Sequence, residues 1–157
     1  KKDSGFTIIE VMIVLAIAGL IILIVLLAVP ALQRNSRNTA MKNDASAIAG
    51  GLGEFASNND GAVATSVAGT GTVTIKNSAT PPVTQTTKVQ GGTVVSTVTV
   101  APTTADTGAA VPGKIAVYLG KTCSTATGGT FKDSSRAASI YYASETSGGN
   151  VLKCLDN

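Results

Sequence analysis

Histidine is absent from all 157 residues, which removes Ser-His-Asp and Cys-His nucleophilic arrangements together with the commonest transition-metal ligand. Asp44, Asp60, Asp106, Asp133 and Asp156 are scattered, without the rhythm of a calcium loop or the pairing of a glycosidase. The glycine-rich stretches 68–72 and 127–130 lack the Gly-Lys-Ser/Thr ending of a phosphate loop and the dinucleotide-binding spacing, so they read as turns. No catalysis, metal site or cofactor is expected. Two features remain: Cys123 and Cys154 are the only cysteines, and Glu10 is the only charge between Phe6 and Leu32.

Glu10 matters because of the element that carries it. Val11 to Gln33 is a run of 23 uncharged residues dominated by Ile, Leu, Val and Ala. As a helix it reaches roughly 35 Å, enough to cross a hydrocarbon core of about 30 Å. A helix that is apolar on every side suits lipid better than the short strands that follow, which offer little surface to wrap it. An ionisable group within a span costs roughly 2.5–3.5 kcal/mol and is functional by default. The plainer alternative is that Glu10 sits at the interface and reaches toward headgroups.

Lys1 and Lys2 precede the run, which keeps the N-terminus cytoplasmic and places the polar remainder outside. Arg34, Arg37 and Lys42 oppose that orientation on a strict count of positive charge. A conventional signal peptide has a shorter apolar stretch and a small-residue cleavage site, for which 32–35 (Leu-Gln-Arg-Asn) is a poor match. The apolar segment is therefore expected to stay attached.

Residues 1–19, KKDSGFTIIEVMIVLAIAG, resemble the processing and assembly signature of a type IV pilin, with support extending to about residue 37. The resemblance implies an α+β fold, a long N-terminal helix on a small antiparallel sheet. It implies a leader of residues 1–5, removed after Gly5 by prepilin peptidase, with Phe6 becoming the N-methylated first residue. It also implies that Glu10 pairs with the Phe6 amine of a neighbouring subunit in an apolar filament core. Breaking such a pair costs roughly 3–5 kcal/mol, because the remaining charge is left buried and alone. Ala16, Ala18 and Gly19 either let helices approach closely or are ordinary membrane-helix residues. Pro30 lacks an N–H and clashes with the Leu26 carbonyl of a regular helix, so a kink or unwound turn is expected there. Gly19 and Pro30 bracket the stretch expected to bend or melt during assembly.

The segments expected beyond the leader are an assembly helix over 6–33, an amphipathic continuation over 34–60 and a β-rich head over 61–157. Met41, Ala45, Ile48, Leu52 and Phe55 recur at helical spacing on one face. Gly50, Gly51 and Gly53 weaken the last turns, each by roughly 1 kcal/mol, and 58–61 (Asn-Asn-Asp-Gly) ends the helix. Strands are expected over 72–76, 83–89, 93–100, 114–119, 139–143 and 151–155. Gly91-Gly92 signals a two-residue hairpin, while Pro81-Pro82 and Pro102 keep their surroundings out of central strands. Of the 34 Ser and Thr residues, 14 threonines fall between Thr65 and Thr107. That bias fits strands, and a disordered stalk over 62–112 is the alternative.

An even cysteine count in an exported domain favours a Cys123–Cys154 bridge. Closing that loop stabilises by about 3.7 kcal/mol in the chain-entropy model. In pilins such a loop commonly forms a surface, here holding Gly128-Gly129, Lys132, Arg136 and Tyr141-Tyr142; the alternative is a staple for a small domain.

By the resemblance the chain is a precursor in the cytoplasmic membrane, then a homo-oligomeric helical filament on the bacterial surface, built by a pilus assembly platform for adhesion, twitching motility or DNA uptake. A host surface or DNA is a candidate partner through avidity. Two readings compete with the major pilin: a minor pilin or secretion-system pseudopilin, and a single-pass surface protein that never polymerises.

Overall fold

The computed structural model describes residues 5–90, 92–98, 111–123 and 132–157. Element order is α1 (Ile8–Asn58), β1 (Ser66–Thr70), β2 (Thr72–Lys76), β3 (Thr84–Lys88), β4 (Val94–Thr97), β5 (Lys114–Thr122), β6 (Lys132–Thr146) and β7 (Gly149–Asp156). The chain divides into two compact units, Lys1–Ser36 and Arg37–Asn157.

In the first unit α1 is long and apolar enough to cross a membrane by length and composition. Its side chains from Phe6 to Gln33 are all exposed, and it runs as helix through both Gly19 and Pro30. The unwound turn expected at Pro30 is thus replaced by continuous helix. Proline removes a single N–H from the ladder, and the Pro30 carbonyl accepts a hydrogen bond from Arg34 Nε at 3.3 Å.

In the second unit α1 buries Met41, Asp44, Ala45, Ile48, Gly51, Leu52 and Phe55, the expected stripe with Asp44 and Gly51 added. The stripe lies on one face of the sheet and shares a core with Val67, Val73, Ile75, Val95, Ile115, Val117 and Ile140. At Gly51 helix and sheet approach closely, for a Cβ there would lie 3.1 Å from Ile75 and 3.2 Å from Thr87. Its helix-weakening lack of a side chain is what permits this contact. The helix ends as expected. Asp60 turns left-handed at φ 54°, and the Gly61 N–H reaches back to the Ala56 carbonyl at 2.7 Å, a Schellman closure.

The sheet has seven strands in the order β3-β2-β1-β4-β5-β6-β7. All neighbours are antiparallel except β4 and β5, which are parallel. Two expectations are corrected here. Gly91-Gly92 does not join a hairpin: β3 is an edge strand, and β4 pairs with β1 across the sheet. The cause is β1, which the sequence does not announce because its second half belongs to the glycine-rich stretch 68–72 that reads as a turn. Gly69 is needed there at φ 151°, since a Cβ would collide with the Thr72 carbonyl. The second correction is the parallel pair, which makes the sheet mostly rather than wholly antiparallel.

Asp44 fixes the β3–β4 connection. Its carboxylate accepts the Gln90 N–H at 2.9 Å and the Thr93 hydroxyl at 2.6 Å, so a carboxylate only 4% exposed is satisfied from two sides. The opposite end of the sheet is tied to the helix by Arg37, whose guanidinium donates two 2.7 Å hydrogen bonds to Glu145. Beside it the Asn38 amide donates to the Glu145 carbonyl at 2.8 Å and accepts the Glu145 N–H at 2.7 Å, pairing as a neighbouring strand would. The charge-assisted bond that Arg37 donates to Glu145 raises the Arg37 pKa above its ordinary value.

Candidate functional site

The N-terminal motif forms a capping box. Thr7 occupies the N-cap and Glu10 the third helical position. The Glu10 carboxylate accepts the Thr7 N–H at 2.9 Å and the Thr7 hydroxyl at 2.7 Å, while the Glu10 N–H donates to Thr7 Oγ1 at 3.4 Å. Two N–H groups that the first turn leaves without helical partners are satisfied reciprocally. Glu10 therefore has an acceptor role inside its own chain, and Thr7 is a site residue the sequence reading overlooked. The signal was present: Thr-x-x-Glu directly before an apolar run is a helix-start signature. Gly5 and Phe6 precede the cap without regular secondary structure and are exposed, Phe6 to 88%.

At the other end, Cys123 and Cys154 are bonded, with Cα atoms 5.9 Å apart. Cys123 directly follows β5 and Cys154 lies in β7, with β6 between those strands, and the Cys123 N–H donates to Asp156 Oδ1 at 2.5 Å. Cys123, Cys154 and Asp156 cluster, but two sulfurs committed to each other are not thiolate ligands.

The expected contact surface inside this loop is revised. Tyr141 is only 7% exposed and meets Tyr118 edge-on, ring centroids 5.5 Å apart. Tyr142 points the other way and packs against the main core. Both lie in β6, whose alternation sends neighbours to opposite faces. Burial, and secondarily the Asp156 charge, pushes the Tyr141 phenol above its usual range. Arg136 is exposed, while Gly128-Gly129 and the Lys132 side chain lie outside the described residues.

A cavity of about 270 Å³ sits at the C-terminal end of α1, lined among others by Leu52, Ala56, Leu119, Arg136 and Asn157. It brings together no nucleophile and base.

Residues 1–26 match the family described as the prokaryotic N-terminal methylation motif. No curated protein and no solved structure matches the chain. The matched motif spans the leader, the Thr7–Glu10 cap and most of the apolar run, and the second unit packs a helix on a mostly antiparallel sheet, an arrangement consistent with the type IV pilin fold. The chain therefore has the N-terminus of a type IV pilin-like prepilin.

Proposed function

We propose that this protein is the structural subunit of a type IV pilus. In this reading residues 1–5 are a leader removed by prepilin peptidase after Gly5, and Phe6 becomes a methylated N-terminus. Residues 6–33 lodge in the cytoplasmic membrane and are then drawn out by the assembly platform into a homo-oligomeric filament. Residues 34–60 and 61–157 form the head, displayed outside the cell for adhesion, twitching motility or DNA uptake. The observation that carries the reading is the coincidence of the methylation motif, over residues 1–26, with an apolar stretch of α1 whose side chains from Ile8 to Gln33 are all exposed. Such a surface calls for a partner, lipid first and copies of itself later.

Assembly exchanges one set of Glu10 partners for another. In the unassembled subunit Thr7 satisfies the carboxylate; in the filament the Phe6 amine of a neighbour takes it over, a charge-assisted contact in an apolar core. Gly19 and Pro30 are the places where α1 bends or melts as it leaves the bilayer. Intact-mass and N-terminal peptide mass spectrometry on filaments sheared from the cell surface tests the whole reading. A methylated Phe6 with bridged Cys123 and Cys154 is expected. Retention of 1–5, or absence of the protein from the sheared fraction, leaves a membrane-anchored surface protein instead.

A further inference from the structure

The face of the sheet turned away from α1 carries a charge pattern that the core does not require. Between Gly61 and Ala105 the only charged residues are Lys76 and Lys88. Strand register then aligns Lys88, Thr72, Thr70, Val94 and Lys114 in a single row across β3, β2, β1, β4 and β5. All five are exposed, and their neighbours Val73, Val95 and Ile115 on the opposite face are buried, so the row faces outward. Lys76 lies on the same face, paired with Thr84 and Ser66. At ordinary strand spacings Lys88 and Lys114 stand about 19 Å apart, and Lys88 and Lys76 about 14 Å. The strand residues between them are mainly Thr and Ser. Among the described residues none of the three ammonium groups has an acidic partner.

We propose that this face binds the phosphate backbone of duplex nucleic acid, independently of base sequence. Lysines with interleaved hydroxyls are the groups that hold phosphate oxygens. Among the described residues the exposed part of the face has no aromatic ring on which the bases of a single strand would stack. It also lacks the Trp, Tyr and Arg anchors that dominate protein interfaces. Three phosphate contacts make a weak, salt-sensitive site in one subunit, and repetition along a filament raises the avidity. The avidity, though not the site, rests on the filament reading above.

The test uses the full chain, unpolymerised in neutral detergent, with a short fluorescent duplex followed by anisotropy. Two duplexes of unrelated sequence are expected to bind equally, with affinity falling about 40-fold between about 50 and about 200 mM salt for three contacts. The triple variant K76Q/K88Q/K114Q is expected to lose at least about tenfold and to flatten the salt dependence. K42Q, at an exposed cation on α1 and so outside this face, leaves binding unchanged. Circular dichroism checks that the triple variant is folded; should it not be, K114Q alone is expected to lower the salt slope by about one unit. The proposal is overturned if the folded variant binds as tightly as the parent, if a single strand outcompetes the duplex, or if an acidic polypeptide binds where duplex does not. Because the subunit is tested unpolymerised, absence of filaments would sink the filament reading alone, and failure to bind DNA with filaments intact would sink this one alone.

Discussion

Residues 11–32 and 41–55 belong to one helix but present opposite patterns. In the first stretch apolar residues occupy every position but Gly19 and Pro30 and all are exposed; in the second they recur every three or four residues and are buried against the sheet. Periodicity records a partner on one side, and within this chain that partner is the sheet. Apolarity without periodicity records partners on all sides, which a chain of this size does not contain. Binding capacity of the first stretch is thus directed outside the molecule, while the second serves the stability of the head.

Substitutions at each end can break that division. The largest effect is expected at Glu10: Glu10→Gln weakens each subunit contact by roughly 3–5 kcal/mol, a hundredfold to a few thousandfold. Sheared filament yield should fall to background while the melting temperature of the head is unchanged. A head that melts earlier would contradict the separation. Removing the bridge with Cys123→Ser and Cys154→Ser together should cost about 3.7 kcal/mol at most, read as a lowered denaturation midpoint. Ile48→Ala is the converse of the Glu10 variant, costing roughly 2–5 kcal/mol of head stability through the cavity it leaves, with membrane insertion of the precursor intact.

Smaller effects sharpen the picture. Thr7→Ala removes the N-cap and should cost about 1 kcal/mol of helix stability. If Thr7 also holds Glu10 before assembly, Thr7→Ser retains filament yield where Thr7→Ala lowers it. The smallest concerns the far face of the sheet. The Tyr141 phenol is held protonated by burial. Its contribution to stability is complete below the ordinary tyrosine value of 10.0 and is lost as pH rises through the elevated folded value. Alkaline denaturation should therefore set in above pH 10.0, and Tyr141→Phe should delay it.

The N-terminal motif, the apolar run and the stripe from Met41 to Phe55 were legible because each is a local pattern: spacing along one helix decides them. The cap at Thr7 was legible too, and was overlooked because Glu10 drew attention as a buried charge rather than as one half of a capping box. β2 and the central parts of β5, β6 and β7 followed from β-branched runs. What local pattern did not reveal was which strands are neighbours. β1 looked like a turn since Gly69 is chosen for its approach to the Thr72 carbonyl. Without β1, Gly91-Gly92 invited a hairpin that the order β3-β2-β1-β4 does not contain.

The sequence by itself determined the processing motif, the apolar helix, the amphipathic stripe and the pair of cysteines, because these depend on residue type and on spacing within one element. Only the tertiary structure decided the β4–β5 parallel pair, the burial of Tyr141, the satisfaction of Asp44 by Gln90 and Thr93, and the alignment of Lys88 with Lys114 across five strands. Each of these joins residues at least 20 positions apart, and such contacts are set by which surfaces the whole chain can bury together rather than by any segment's own preference.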